Sequence, residues 1–404
     1  MKILTLSSVF PNLQQPFLGL FIKERMKHVA RNEMVRVVAP VPFSPIDPIA
    51  RRFKKEFRPA KPCYGLIEPE FKIDHPPFLC FPGTFKPADS VLYFVSLYPF
   101  LKKFRRSYDF NLIDAHFAFP DGVAAALLAQ AFKVPFTITL RGTELPYSKI
   151  LSRRFQMKWA LQKASQVISV SNSLGKVAQK LGAGSDKIRV IPNGVDTDKF
   201  SPVGKLKARS VLMLPEKARI LLSVGGLVPR KGFHRVIRIL PEIIKKFGNV
   251  IYLVVGGASV EGDYSIELKN KVFEKSLEDN VRFIGAVDPG RLSEYYSAAD
   301  LFVLPTSNEG WANVFMESLA CGTPVISTDV GGNREVIYKD ELGTIVPFGD
   351  DERFCQAVIY GLEKDWDKNL LISHARKRNW NHVSDEVISV FNECLARSKE
   401  RCAV

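Results

Sequence analysis

Cysteine is scarce in this chain of 404 residues. Cys63, Cys80, Cys321, Cys355, Cys394 and Cys402 are scattered, with none of the short pairings that metal sites or disulfide scaffolds use. A zinc site and a disulfide framework are therefore not expected, and a reducing cytoplasm is. Long apolar runs are missing too. The longest, Val91 to Leu101, is far short of the roughly 20 residues a spanning helix needs. No signal peptide is expected, because Met1-Lys2 leads straight into ILTLSSVF, which reads as a first strand. What the N-terminal half lacks is acid. Residues 1–200 hold 30 Lys and Arg against 15 Asp and Glu, while residues 201–404 hold 27 against 27, so the whole net charge of +15 lies in the first half.

That excess clusters with aromatic residues, in RRFKKEFRPAKP (51–62), FLKKFRRSY (100–108) and RRFQMKW (153–159). The mixture points to an anionic partner. Anionic lipid head groups or a lipid-linked diphosphate suit it, each basic residue near such a surface contributing about 1 kcal/mol. Nucleic acid is not expected, because no recognition motif accompanies the charge.

With 46% hydrophobic and 25% charged residues the composition is that of a globular protein, and its length predicts two domains. Short β-rich runs at 2–6, 35–39, 111–115, 134–140, 166–170 and 188–191 alternate with helical stretches. After the polar segment 198–217 the alternation restarts, with strands at 219–224, 250–256, 281–285, 300–304, 324–328 and 343–346. Two such series predict an α/β protein of two facing doubly wound, Rossmann-like parallel-sheet domains, divided near Ser201-Pro202. Region 41–90, rich in Pro and Phe without clear periodicity, reads as a long structureless insertion on the first domain. Residues 350–400 read as helical throughout. Open parallel sheets bind ligands outside the carboxyl ends of their strands, so one cleft between the two sheets is expected.

The chemistry concentrates in SNEGWANVFMESLACGTPV (307–325). Glu309 closes an apolar run and opens a loop at Gly310. Glu317 lies inside VFMESLAC, among Phe315, Met316, Leu319 and Ala320. An ionised carboxylate there costs several kcal/mol unless something hydrogen-bonds to it. Polyol hydroxyls of ribose or a sugar are suitable partners. Asn313 is placed to cap the helix that carries Glu317 and to aim its first amides at Glu309-Gly310-Trp311-Ala312. Upstream, GGLVPRKGF (225–233) joins a strand to a helix, with Arg230 and Lys231 beside free N–H groups that suit phosphate oxygens. It lacks the glycine spacing of a Walker loop.

Together with VIPNGVDTDKFSP (190–202), VGGLVPRKGF (224–233) and SLACGTPVISTDVGGNREVI (318–337), these residues resemble the retaining, nucleotide-sugar-dependent glycosyltransferases of the GT-B fold, the group 1 family (family 4), over nearly the whole chain. The resemblance implies that Glu317 holds ribose hydroxyls and that Glu309 contacts the sugar and its reacting face. It implies that the amides of Gly310, Trp311, Ala312 and Asn313 grip sugar and diphosphate, and that Lys231 meets the diphosphate. Ile284, in Phe283-Ile284-Gly285, matches the strand end whose backbone meets the base. Gly226 departs from the pattern, for the family usually carries arginine there; Arg230 starts from a different point of the loop. In the first domain Gly19 resembles the glycine loop near the diphosphate, and His116 the histidine against the donor sugar. Arg141, in TLRGTEL, suits a phosphate on the acceptor. Asp121 reads as a helix cap.

The resemblance thus implies an N-terminal acceptor-binding domain at 1–200, a nucleotide-sugar-binding domain at 201–372, and a helical segment at 373–404 packing back toward the first. The expected reaction moves a hexose from a nucleotide-diphosphate sugar to a hydroxyl of a saccharide or polyprenyl-diphosphate-linked acceptor in surface polysaccharide synthesis. Cofactor and metal are not expected, since protein cations can take up the charge of the departing phosphate. The expected place is the cytoplasm, peripheral on the inner face of the cell membrane. Another GT-B enzyme, a nucleotide-sugar epimerase or a phosphorylase, is the alternative.

Overall fold

Strands buried along their whole length build the sheets. Phe136–Leu140 and Val250–Val255 are buried at every position, the pattern of a parallel strand covered on both faces. The computed structural model describes residues 1–53, 58–83, 85–259 and 261–402, with the side chains of 399–402 left aside. The chain divides into two units: Met1–Asn193 with Trp380–Val404, and Gly194–Asn379.

Unit 1 contains β1 (Lys2–Leu6), β2 (Met34–Val38), β3 (Val41–Phe43), β4 (Cys63–Ile67), β5 (Lys72–His75), β6 (Pro77–Leu79), β7 (Leu112–His116), β8 (Phe136–Leu140), β9 (Gln166–Ser169) and β10 (Ile188–Val190). Eight of them form one sheet in the order β10-β9-β8-β7-β1-β2-β5-β4. Every pairing is parallel except that of the edge strand β4 with β5. Region 41–90 is therefore not structureless. It supplies β5 and β4 to the main sheet and the separate pair β3-β6. These strands have three to five residues each, too short to show a period among the prolines. Lys54 and Lys55 of the first basic cluster lie outside the described residues.

Helix Trp380–Cys402 belongs to this unit. It lays Val383, Val387, Val390 and Phe391 beside Ile22, Met26 and Val29 of helix Leu20–Val29. Each such burial contributes at most about 1.5–3 kcal/mol. Residues 350–400 are thus not helical throughout. Breaks at 364–367 and 377–379 separate helices Asp351–Glu363, Lys368–Arg376 and Trp380–Cys402. The first break ends where Asp367 caps the next helix, accepting from the amides of Asn369 and Leu370.

Unit 2 contains β11 (Arg219–Val224), β12 (Val250–Val255), β13 (Val281–Gly285), β14 (Leu301–Leu304), β15 (Val325–Thr328) and β16 (Gly343–Val346). All are parallel, in the order β13-β12-β11-β14-β15-β16. Helices cover both faces. Phe233–Phe247 turns Phe233, Val236, Ile237, Leu240 and Ile243 inward, a stripe at the helical period. Both large sheets are doubly wound α/β layers of the Rossmann-like kind.

Candidate active site

The order of the unit 2 sheet reverses between β11 and β14. Loops leaving the carboxyl ends of two such neighbours part to opposite faces and open a crevice, where ligands bind in folds of this kind. The loop after β11 carries Arg230 and Lys231, and the loop after β14 carries Glu309. They meet. Glu309 Oε1 accepts from Lys231 Nζ at 2.6 Å, from Arg230 Nη1 at 3.2 Å and from Thr306 Oγ1 at 3.2 Å. The Glu309 side chain is only 9% exposed, so these donors replace most of its lost hydration. Its Oε2 takes part in none of the three bonds.

Gly331 backs this loop. With φ of +53°, it lies where a Cβ would come within 1.7 Å of the Glu309 carbonyl oxygen. Only glycine allows that approach. Gly310 and Ala312 are buried, and Trp311 is half-buried. The indole N–H of Trp311 is enclosed and meets no acceptor among the described residues.

Arg230 is held elsewhere as well. Its Nε and Nη2 form a fork on the two oxygens of Glu261, each at 2.6 Å. The fork holds the guanidinium above its ordinary range and the Glu261 carboxyl below its own. At Gly226, a Cβ would lie 2.9 Å from the Cβ of Ser259. The segment that bears Glu261 thus fills the space a side chain at 226 would use.

Glu317 lies on helix Asn313–Ala320. Asn313 does not cap this helix. Ala312 is the N-cap residue, without a side-chain bond, and Asn313 is the first helical residue. Glu317 Oε2 accepts from the hydroxyl of Tyr296 at 2.8 Å. Enclosure raises the Glu317 carboxyl above the ordinary glutamate range, against the opposing pull of the Tyr296 bond and of Lys199 and Lys231. Tyr296 is fully buried on helix Leu292–Ala298. Neither Tyr296 nor Lys199 stood out in the sequence: a tyrosine among apolar helix residues reads as core, and a lysine after an Asp-rich turn reads as surface. Ile284 lies on the edge strand β13, partly buried. Two Asp-x-Asp spacings, 196–198 and 365–367, resemble metal-ligand patterns, but Asp196 and Asp367 accept from nearby backbone amides.

In unit 1 the order reverses between β1 and β7. Gly19, with φ of +70°, precedes helix Leu20–Val29 and lies where a Cβ would come within 2.4 Å of the Val9 carbonyl oxygen. His116 ends β7 and is fully buried. Its Nδ1 faces Arg141 Nε at 3.2 Å and Nη2 at 3.0 Å, and its Nε2 lies 3.2 Å from Asp114 Oδ2. Arginine can only donate, so Nδ1 accepts and the ring proton sits on Nε2. Burial, its largest cause, lowers the His116 pKa to about 4. Arg141 is buried as well; it also donates to Asn193 Oδ1 at 2.9 Å and lies over the Phe21 ring.

Asp121 does not cap helix Val123–Phe132, whose N-cap residue is Gly122. It ties down the loop after β1, accepting from the Ser8 amide at 2.5 Å, the Ser8 hydroxyl at 2.9 Å and Tyr93 at 3.2 Å.

The model of the glycosyl transferases group 1 family matches residues 205–378, and that of glycosyltransferase family 4 matches residues 50–199. A Bacillus subtilis chain named as a teichuronic acid biosynthesis glycosyltransferase, TuaC, is 30% identical over 86% of this chain and 86% of its own length. A D-inositol 3-phosphate glycosyltransferase of Acidothermus cellulolyticus is 32% identical over 54% of this chain, which spans about half (50%) of that relative. Among solved structures, sucrose-phosphate synthase of Thermosynechococcus elongatus matches with a TM-score of 0.80 at 22% identity, covering 98% of this chain and 100% of that one. HepE of Anabaena, solved with UDP, matches with a TM-score of 0.73 at 19% identity over 97% and 100%.

Proposed function

The chain belongs to the group 1 glycosyltransferases, with a GT-B fold, and from that premise we propose its donor, acceptor and mechanism. It takes a hexose from a nucleotide-diphosphate sugar and places it, with retention at the anomeric carbon, on a hydroxyl of a lipid-linked saccharide in cell-surface polysaccharide synthesis. What carries the proposal is the crevice of unit 2. Glu309 and Lys231 meet there at 2.6 Å, and Glu317 waits nearby with a raised pKa and one tyrosine donor. A raised carboxylate gains most from further donors, and two ribose hydroxyls supply them.

Lys231 and Arg230 then hold the diphosphate, with the amides at Trp311 to Asn313. The Trp311 indole N–H adds one more donor for a ligand oxygen. Glu309 turns Oε2 toward the sugar hydroxyls. No side chain is assigned as nucleophile. The acceptor oxygen bonds the anomeric carbon on the face the phosphate leaves, and its proton passes to the departing phosphate oxygen. Lys231 and Arg230 take up the growing charge, so a metal has no assigned part. In unit 1, His116 is assigned to the donor sugar's side and Arg141 fixes its tautomer; Gly19 shapes the loop near the diphosphate.

The complexes of HepE with UDP and with UDP-glucose support a nucleotide-sugar donor. The teichuronic acid in the name of TuaC supports a surface polysaccharide. Such an acceptor would place the protein peripherally, at the inner face of the cell membrane. A thermal-shift panel across UDP, GDP, ADP and dTDP sugars tests the donor. The right one raises stability by about 2.7 kcal/mol at a hundredfold excess over its Kd. No shift with any of the panel would sink the reading, and epimer formed without acceptor would replace it.

A further inference from the structure

Three oxygen acceptors crowd a single proton at Thr306 of unit 2. This residue follows β14 and Pro305 and is fully buried. Its Oγ1 lies 3.0 Å from the Arg230 carbonyl oxygen, 3.4 Å from that of Asn308 and 3.2 Å from Glu309 Oε1. A hydroxyl has one hydrogen to donate, and a carbonyl or a carboxylate can only accept it. Both carbonyls have donors of their own. The Ser307 amide reaches the Arg230 carbonyl at 2.8 Å, and Arg230 Nη1 reaches that of Asn308 at 3.3 Å. The carboxylate carries charge, and a bond to a charged acceptor is roughly twice as strong as one to a neutral carbonyl. The proton therefore goes to Glu309.

Thr306 is itself firmly seated. Its amide donates to the Leu304 carbonyl, and its own carbonyl accepts from the Thr328 hydroxyl at the end of β15. Ser327 Oγ donates to the Leu304 carbonyl at 2.6 Å. Asn333, fully buried, donates to Ser327 Oγ at 3.3 Å and to the Thr328 carbonyl at 2.9 Å. These bonds stitch together the carboxyl ends of β14 and β15, and the Thr306 hydroxyl projects from that seam onto Glu309. A β-branched side chain of two short arms has little freedom to leave it. Lys231 and Arg230 reach the same carboxylate from the ends of long side chains, which turn readily to another anion. Of the three donors on Oε1, Thr306 is the one fixed by the sheet.

We propose that Thr306 is a positioning residue for glycosyl transfer: its hydroxyl stays on Glu309 Oε1 when a diphosphate draws Lys231 and Arg230 away, and so keeps Oε2 turned to the donor sugar. The inference deepens the function proposed above. It rests on that reading for two assignments, the cations to the diphosphate and Glu309 to the sugar. The Glu309 side chain is 9% exposed, so little water is at hand to replace the departing cations. Without a fixed donor, either oxygen could turn to the sugar, at a range of angles. One bond from a rigid seam settles which oxygen the sugar meets. Loss of such placement slows the reaction while leaving remote binding contacts intact.

The test uses the full chain. Its probes are the nucleotide sugar that stabilises the wild type most in the UDP, GDP, ADP and dTDP panel, and the matching bare nucleotide diphosphate. Calorimetry gives each Kd, and release of the diphosphate with water as acceptor gives kcat. Thr306→Val keeps the branched shape and removes the hydroxyl. It should lower kcat by about tenfold or more while the Kd of the bare diphosphate stays within about twofold. Thr306→Ser returns the hydroxyl and should recover most of the lost kcat. A packing role predicts the reverse order, because serine lacks the methyl group that valine keeps. On a Glu309→Ala background, Thr306→Val should add nothing further to the loss of kcat. Thr306→Ala, which removes the hydroxyl without a new methyl group, takes the place of Thr306→Val if that variant does not fold. An unchanged kcat in Thr306→Val, no recovery in Thr306→Ser, or a loss additive with Glu309→Ala overturns the inference. Wild-type protein that binds no member of the panel sinks the donor reading and this inference with it. Wild-type protein that binds and turns over a donor, matched by Thr306→Val, sinks this inference alone.

Discussion

Tyr296 and Glu317, 21 residues apart, share a hydrogen bond of 2.8 Å inside the unit 2 crevice. The phenol is buried and its pKa is pushed well up by burial and by the carboxylate it serves, so it stays a donor throughout the accessible pH range. Its one bond restrains a carboxylate that burial would otherwise protonate more readily.

Tyr296→Phe should therefore raise the Glu317 pKa further and weaken the nucleotide sugar at neutral pH. The bond joins a neutral donor to a charge, so its removal costs about 1.5–3 kcal/mol, or at least about tenfold in Kd. Calorimetric titration across pH checks it. Affinity that is unchanged, or that falls equally at every pH, would assign the phenol to packing alone.

Glu317→Gln should separate stability from binding. The folded pKa of Glu317 lies above its ordinary value, so its contribution is fully present below that ordinary value and is lost as pH rises through the folded one. At neutral pH the ionised side chain is a burden on the free protein. Glutamine removes the burden, and melting temperature should rise at neutral pH but converge with wild type in acid. Donor binding should be lost in the same variant.

How much of this was readable beforehand varies by residue. Glu309 and Glu317 stood out because an acid in an apolar run contradicts its surroundings, and the structure places them on the loop and helix that follow β14. The alternation of strands and helices is a strong period, and both sheets follow it. Region 41–90 shows no period because its strands have only three to five residues, and for β3, β5 and β6 the pairing that makes them strands is with partners distant in the chain. Asn313 and Asp121 were misread for a shared reason. Short polar side chains near a helix start suit the local backbone, but tertiary contacts decide; Asp121 goes instead to Ser8, 113 residues away.

Glu309→Ala should spare the bare nucleotide and cut turnover. It removes the anion that Lys231 and Arg230 now share, leaving both cations for the proposed diphosphate while the proposed sugar contact is lost. A fall of about 10²–10³ in kcat with an unchanged or lower Kd for the nucleotide is expected. Lys231→Ala should do the opposite to binding, since it removes the cation proposed to meet the phosphate. Parallel kcat and Kd measurements on both variants separate the two roles; equal loss of nucleotide affinity in both would deny them.

Glu261→Gln tests whether Arg230 is held in reserve. The fork to Glu261 uses two of the guanidinium's edges, and the third reaches Glu309. A phosphate that recruits Arg230 must first displace a carboxylate already making two short bonds. The Glu261 side chain is 47% exposed, so water and salt screen much of that competition. The expected gain on neutralising it is accordingly small, a few-fold lower Kd for the nucleotide diphosphate, shrinking as salt rises. Arg230→Ala supplies the control: with no guanidinium to release, Glu261→Gln should add nothing on top of it. Additive effects in that double variant would mean that Glu261 acts on the ligand directly.

His116 makes the acid limb of stability predictable. Its folded pKa is lowered to about 4 from the ordinary 6.5, chiefly by burial, with Arg141 pushing the same way and Asp114 opposing. The unfolded chain binds a proton at 6.5 that the folded one refuses until about 4, so stability should fall as pH drops through that window. His116→Gln cannot take up that proton. Its urea midpoint should therefore start below wild type at neutral pH, where the Arg141 contact is weakened, yet decline less steeply toward pH 4. Asp121 works in the other sense. Burial raises its carboxyl from the ordinary 3.8 to about 7, so its contribution is fully present below 3.8, is lost as pH climbs toward 7, and opposes the His116 trend across the same acid window in both proteins. Parallel slopes for wild type and His116→Gln below pH 6.5 would show that the imidazole is not held neutral by its enclosure.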